Sequence, residues 1–148
     1  MPTLFDANTQ TIMLQRINNL SATSQRKWGK MNVAQMLKHL TTAFAVPINK
    51  TQTPREIMYY LAANPVTRWI MIKAVNKWPK NMITAKSFLV TEDVEFEQAK
   101  LDFLEMYNAF LNAKEFNGSH PVFGKMSKAL WGDAMYIHLN HHLEQFGV

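Results

Sequence analysis

Apolar residues recur every three to four positions in four long parts of the chain, which is the spacing of one buried helix face. The first part covers residues 4–20, and the second begins after Asn32 and ends at Pro47. The third covers residues 91–116 and the fourth residues 131–146. Asn32 is a residue type that favours helix N-caps. The pattern therefore predicts four long amphipathic helices.

The stretch between the second and third long helices predicts a kinked helical insert. Residues 55–62 read as a short helical piece. Asn64 followed by Pro65 gives an N-cap and a proline at the first helical position, so a second piece restarts there and runs to residue 78. Residues 80–90 form a long connection, in which residues 88–90 suit a short strand without an evident partner.

These elements predict one all-α domain over residues 1–148, a four-helix bundle with the kinked insert added. No internal repeat occurs, and no run alternates as a half-buried strand does. The third long helix is expected to bury Leu101, Tyr107 and Phe110. Trp131 on the last helix is expected in the core.

Composition narrows the function classes. Hydrophobic residues make up 47% of the chain and charged residues 18%, as in ordinary globular domains. The net charge of +5 is spread without a run of five basic residues, so no nucleic-acid partner is expected. There is no cysteine, which excludes disulfides, thiolate zinc sites and a cysteine nucleophile. No leader segment is visible and no apolar stretch is long enough to span a bilayer, so we expect a cytoplasmic protein without a membrane partner.

Candidate chemistry begins with a histidine pair on the last helix. His138 and His142 are four residues apart, which places them about 40° apart around the axis and one turn apart along it. Two imidazoles stacked in this way can reach one metal ion. Gln145 lies on the same face, whereas His141 points about 80° away from its centre. An isolated pair of this kind is more often an ordinary surface or core pair. A metal site is therefore expected only if the rest of the chain provides a third ligand.

His39 is the candidate third ligand. It lies on the apolar stripe of the second helix, between Met36 and Ala43. A lone histidine on such a stripe is more often a core residue, but facing helices are also how bundles build metal sites. Three neutral imidazoles hold a divalent ion at about 2.0–2.1 Å and leave a position open for water or substrate. Periodicity by itself does not decide whether His39 is a core residue or a metal ligand.

Two segments resemble a known superfamily. Residues 28–40 (WGKMNVAQMLKHL) are similar to the segment with the first histidine ligand of the DinB/YfiT-like metalloenzymes, and residues 138–148 (HLNHHLEQFGV) to their last helix with its HxxxHxxQ pattern. HPVFG at residues 120–124, Trp131 and HHLEQFG together resemble one branch of that superfamily, which is defined by an uncharacterised domain. Residues 47–118 match only in helical character.

The resemblance implies an up-down-down-up four-helix bundle with a divalent metal held by His39, His138 and His142. Members with known activity include transferases and isomerases that use low-molecular-weight thiols. The family name refers to DNA-damage induction of a founding gene, so it does not indicate DNA binding.

His120 and Gln145 are further candidates. His120 precedes Pro121 and is therefore expected to be extended. It would act as a proton shuttle over the metal, since its ordinary pKa is about 6.5, or be a solvent-exposed loop residue. The loop of residues 117–127 is correspondingly a lid at the site or a plain connector. Gln145 would hydrogen-bond a ligand histidine or a bound water, or be solvated at the helix end.

Asp133 and Glu144 point away from the histidine face and are expected to be ordinary surface acids. No carboxylate pair shares the histidine face, and the chain has no phosphate-binding glycine loop and no GxSxG motif.

The predicted function is a metal-dependent enzyme acting on a small molecule, of the hydrolase or thiol-dependent transferase type. Because the chain has no cysteine, any thiol must come from outside. Zinc is the first expectation for three imidazoles, with nickel, iron, copper or manganese as alternatives. The rival prediction is a non-catalytic metal-stabilised scaffold or small-ligand-binding module. A homodimer is left open.

Overall fold

The structure, a computed structural model, describes residues 2–74 and 77–148 and is predominantly helical. The elements are α1 (Ala7–Asn18), α2 (Val33–Ala45), α3 (Tyr59–Ala62), α4 (Pro65–Trp69) continued by a π-helical turn (Ile70–Ala74), a 3-10 turn (Lys86–Phe88), α5 (Phe96–Asn112), the antiparallel strand pair β1 (Ser119–His120) and β2 (Gly124–Lys125), and α6 (Lys128–Gln145). Within these described residues, no helix is both long enough and apolar enough to cross a membrane.

The four long helices begin where a polar side chain accepts a hydrogen bond from a first-turn amide. Asp6 caps α1 by accepting from the Thr9 amide at 2.8 Å, so this helix begins later than predicted. Asn32 caps α2 as predicted and forms a reciprocal capping box with Gln35. Glu95 caps α5, which therefore begins after the predicted residues 91–94. Caps set these boundaries more sharply than apolar periodicity does.

Helix α2 is the central element of the core. It packs chiefly against α5 and also contacts α6, while α1 packs against α6. The ring of Phe44 contacts the rings of Phe103 and Phe110, at centroid distances of 5.4 and 5.1 Å respectively. Trp131 is fully buried, as predicted. His39 is buried on α2, as its place on the apolar stripe predicted.

The expectation that Leu101 is buried is wrong, because its side chain is 62% exposed. The buried positions of α5 recur in steps of three and four, and Leu101 falls between them. They are Phe96, Ala99, Phe103, Tyr107 and Phe110.

The insert differs from its prediction in detail. Of residues 55–62 only Tyr59–Ala62 is helical. Asn64 caps α4 as predicted, by accepting from the Thr67 amide at 2.9 Å. The helix then widens into the π-helical turn, and the remainder of the predicted piece crosses residues 75–76, which lie outside the described residues.

The extended segments also differ from expectation. Instead of a strand at residues 88–90, the chain makes the 3-10 turn, and this segment pairs with no strand in the described parts of the chain. The loop of residues 117–127 instead forms the β1–β2 hairpin, in which Gly124, the first residue of β2, has φ +73°. Two-residue strands are too short to leave a periodic signal in the sequence.

Asp133 is not the surface acid that we expected. Its residue is only 5% exposed, and its carboxylate forms an ion pair with Lys73 of the π-helical turn. Glu144 is half-buried and pairs with Lys77 at 2.6 Å. Two ion pairs thus connect the histidine helix α6 to the insert, one in the first third of the helix and one in its last turn.

Candidate metal centre

Three buried histidines meet between α2 and α6. His39 comes from α2, and His138 and His142 come from α6. One ring nitrogen of each lies within 4.8 Å of the other two, as a shared metal ion requires. The Nε2 atom of His39 is 2.8 Å from Nε2 of His138 and 3.1 Å from Nε2 of His142. The structure therefore brings together the three residues that the sequence singled out.

Hydrogen bonds fix the tautomer of His39. Its Nδ1 lies 2.8 Å from the carbonyl oxygen of Phe88. A carbonyl only accepts, so Nδ1 carries the proton and donates. The Nε2 lone pair of neutral His39 therefore points into the cluster.

The tautomer of His142 is fixed in the same way, through Gln145. The amide nitrogen of Gln145 donates to the carbonyl of Trp28 at 2.7 Å, which leaves its Oε1 as an acceptor. Nδ1 of His142 lies 2.8 Å from that oxygen and donates to it. The Nε2 lone pair of neutral His142 then faces that of His39. The hydrogen bond predicted between Gln145 and a ligand histidine is present.

The donor set fits a divalent ion. Two nitrogen lone pairs that face each other at 3.1 Å repel unless a cation lies between them. Ligand atoms at about 2.0–2.1 Å from a tetrahedral ion are about 3.3 Å apart, so small ring movements suffice to accommodate an ion here. Outer partners that hold the Nδ1 protons of ligand histidines are a regular feature of metal sites.

His138 is held differently from the other two. Its Nδ1 is buried and has no hydrogen-bond partner among the described residues. The ring instead packs against Trp78, at a centroid distance of 5.2 Å. His138 is therefore positioned by packing, and its ring can carry the proton on either nitrogen.

Burial keeps the cluster in its ligating form. It lowers the pKa of His39, and it lowers the pKa of His138 and of His142 well below the ordinary histidine value. Neighbouring histidines lower each pKa further: His141 acts on His39, and His39 acts on His138 and His142. Neutral imidazole is the form that binds a metal, so all three ligands are available at neutral pH.

His120 is buried, so the expectation of an exposed loop residue is wrong. Its Nδ1 accepts from the amides of Val122 and Phe123 at 3.0 and 3.1 Å. Burial lowers the pKa of His120 to about 3, so the ring is neutral at physiological pH. Its ring centroid is 5.8 Å from that of Phe88, which is itself 6.0 Å from His39. The predicted proton-shuttle role remains a prediction.

A cavity of about 330 Å³ adjoins one side of the cluster. It reaches His142 and Gln145, and neither His39 nor His138 lines it. Among its described lining residues Lys30 carries a positive charge and none carries a carboxylate. The lining residues are Trp28, Gly29, Lys30, Met31, Asn81, Met82, Ile83, Thr84, Leu89, His141, His142 and Gln145.

Gly29 allows the cavity wall to approach α6. Its φ is +82°, a conformation that favours glycine. A Cβ at this position would lie 2.4 Å from the Gln145 amide nitrogen. The glycine thus lets the Trp28 carbonyl reach Gln145 and hold His142 in register.

Sequence reasoning missed Phe88 and Trp78, which orient two of the histidines. Phe88 acts through its backbone carbonyl, which no side-chain pattern reveals. Trp78 was interpreted only as the end of a helix. The one available signal was the large aromatic side chain of Trp78 within a charged insert, since such a side chain favours a buried contact.

The fold and the cluster define a helical protein with a buried three-histidine group that can hold a metal ion. A family model described as protein of unknown function (DUF1569) matches residues 5–147, and the chain belongs to this family. No curated protein and no solved structure matches the chain.

The buried histidines predict a stability that falls in acid. In the unfolded chain each histidine titrates near pH 6.5. The folded pKa values are lower, so below pH 6.5 the unfolded chain binds protons that the folded chain excludes, and stability is lost as pH falls. For the metal-free protein we expect about 1.4 kcal/mol of lost unfolding free energy per pH unit for each histidine that stays neutral.

Denaturant titrations in the presence of a chelator between pH 6.5 and pH 4.5 measure this slope. His120→Asn should reduce this slope by the contribution of one histidine, about 1.4 kcal/mol per pH unit, since the pKa of His120 is lowered to about 3. An unfolding free energy that is flat over this range contradicts the buried, neutral state of these rings.

Proposed function

We propose that this protein is a metal-dependent enzyme that acts on a small molecule. The observation that carries the proposal is the convergence of His39, His138 and His142, with the lone pairs of two rings aimed at one point by hydrogen bonds on their far sides. Three protein ligands are the usual set of catalytic rather than structural zinc sites, because they leave one position open.

We also propose that the chain is a DinB-like four-helix bundle of the up-down-down-up type and a cytoplasmic protein. The support for the bundle is the packing of α2 against α5 and α6 and of α1 against α6. The support for the cytoplasm is the complete lack of cysteine, which suits a reducing compartment.

A divalent ion at this site would lower the pKa of a bound water or bind a substrate thiol as thiolate. Zinc is our first choice, and nickel, iron, copper and manganese are alternatives. Phe88 and Gln145 would hold the ligand rings in their metal-binding tautomers. No step is assigned to His120, whose neutral ring donates from Nε2 only.

The cavity beside His142 supports binding of a small molecule, in keeping with the proposed low-molecular-weight thiol. Its volume of about 330 Å³ is in the range of small-molecule sites. Met82, Ile83 and Leu89 give it an apolar wall, and Lys30 can attract an anionic group of the substrate. Because the cavity reaches only His142 of the three ligands, a bound molecule would approach the ion from the Gln145 side.

The rival proposal is a metal-stabilised scaffold without turnover. The observation that favours it is the aromatic cover of the cluster, where Trp78 packs against His138 and Phe88 against His39. A closed site of this kind would take a fourth protein ligand or remain inaccessible to solutes.

Cobalt substitution separates the two proposals. We expect the cobalt-loaded protein to bind about one ion per chain and to develop a thiolate-to-cobalt absorption band when a low-molecular-weight thiol is added. A cobalt spectrum that no thiol, azide or other small anion alters indicates a closed site and supports the scaffold. His39→Ala serves as the control for cobalt bound elsewhere on the protein.

A further inference from the structure

The kinked insert exposes an unusual number of large apolar side chains. Six of them form two triplets with the same helical spacing, and each lies between 45% and 84% exposed. The first triplet is Ile57, Tyr60 and Leu61, and the second is Val66, Trp69 and Ile70. Tyr60 and Leu61 lie on α3, and Ile57 lies in the turn before it. Val66 and Trp69 lie on α4, and Ile70 begins the π-helical turn. Both short helices and their flanking turns therefore carry apolar side chains on the outside.

The same part of the chain carries the protein's excess of positive charge. Residues 55–90 contain six basic residues and one acidic residue, a net charge of +5, while the rest of the chain contains ten of each. Lys73 and Lys77 pair with acids of α6. The other four form no ion pair within the described residues: Arg55, Arg68, Lys80 and Lys86.

The exposed triplets belong to an anchored element. Two residues of the insert, Ala62 and Ile72, are buried in the core. The ion pairs of Lys73 and Lys77 attach the insert to α6. With its inner side held in this way, the apolar faces of α3 and α4 are presented outward by a fixed framework. A group of large exposed apolar side chains within one short segment, unlike such residues scattered singly, often marks an interaction site.

Charge decides which occupant fits. In a symmetric contact between two copies, the same basic segment would face itself, and like charges oppose such a contact. A nucleic acid matches the charge but gives no use for aliphatic side chains such as Ile57, Leu61 and Ile70. An anionic lipid surface matches both features, since apolar side chains enter the acyl boundary while lysines and arginines lie at the headgroups.

We propose that the outer faces of α3 and α4, with the surrounding basic residues of the insert, dock the protein on an anionic lipid bilayer surface. The sequence-based expectation of no membrane partner rested on the lack of a spanning stretch, and peripheral docking needs none. Trp69 is suited to the bilayer interface, where indole rings concentrate. The proposal is independent of the metal centre, so vesicle binding should be the same with and without a chelator.

Co-sedimentation with phosphatidylcholine vesicles, with and without phosphatidylglycerol, tests the proposal. We expect binding only to the anionic vesicles, weakening as salt is raised. Replacing Val66, Trp69 and Ile70 by serine should abolish it. Leu101→Ser is the matched control, because Leu101 is a similarly exposed apolar residue outside the insert.

A charge variant gives a second, independent readout. Lys80→Gln with Lys86→Gln should weaken vesicle binding about 30-fold, at the usual contribution of each lysine near an anionic surface. Lys50→Gln with Lys114→Gln removes the same charge elsewhere and should leave binding within about 5-fold, the contribution of a single lysine. These variants change only exposed residues, so they test the proposal even where the serine variant fails to fold.

Three results would overturn the proposal. The first is equal binding to neutral and anionic vesicles, or none to either. The second is a dimer in analytical ultracentrifugation that the serine variant dissociates, which would assign the face to a second copy. The third is tight binding to nucleic acid that is lost in the Lys80 and Lys86 variant while vesicles are not bound.

Discussion

His39→Ala is expected to abolish stoichiometric metal binding. His39 provides one of three converging nitrogens, and its Nε2 lies 2.8 and 3.1 Å from those of the other two histidines. Loss of an outer hydrogen-bond partner typically costs 10–100-fold in metal affinity, so loss of a ligand should cost more than about 100-fold. His138→Ala and His142→Ala should behave in the same way.

Metal content per chain after dialysis, together with competition against a chelator of known affinity, measures this effect. His141→Ala is the matched control, since it removes a buried imidazole from the same helix that packs against His142 but supplies none of the three converging nitrogens. It should retain about one ion per chain. Full occupancy and affinity in His39→Ala would disprove the three-histidine site, whatever the other two variants show.

Lys73→Met is expected to destabilise the protein more than Asp133→Asn. Asp133 is buried, whereas the side chain of Lys73 is 39% exposed. Removal of the lysine leaves a carboxylate without a partner in the interior, at a cost of about 3–5 kcal/mol. Removal of the carboxylate leaves an ammonium that water can reach, so the cost is smaller.

Chemical denaturation at pH 7 compares the two variants and their combination. The double variant should recover part of the loss of Lys73→Met, because the unpaired buried charge is then gone. Equal effects of the single variants would mean that Asp133 is hydrated in solution. Lys77→Met is the control, since its partner Glu144 is half-buried and its loss should cost about 1 kcal/mol or less.

The long helices and the histidine pair of α6 were predictable because each leaves a local, repeated signal. The apolar period predicted α1, α2, α5 and α6, and the Asn32 cap fixed the start of α2. The spacing of His138 and His142 fixes their common face through helix geometry alone. His39 was harder to assign, since a core histidine has the same pattern, and the family resemblance favoured it as a ligand.

The errors concern residues whose position depends on distant parts of the chain. Asp133 was assigned to the surface because nothing in α6 reveals that the insert places Lys73 beside it. His120 was left between an exposed and a functional position because its burial depends on Phe88, Phe123 and Trp131 from three separate segments.

The sequence by itself determined that this protein is helical and that His138 and His142 share one helix face, because helical period and histidine spacing are local properties. Only the tertiary structure decided which nitrogens meet, because His39 donates to the backbone carbonyl of Phe88, and the distant Trp28 carbonyl orients the Gln145 side chain to which His142 donates. It also decided that the insert, short of apolar partners on its outer side, leaves α3 and α4 exposed. Contacts between distant segments depend on how the whole chain packs, and no local pattern encodes them.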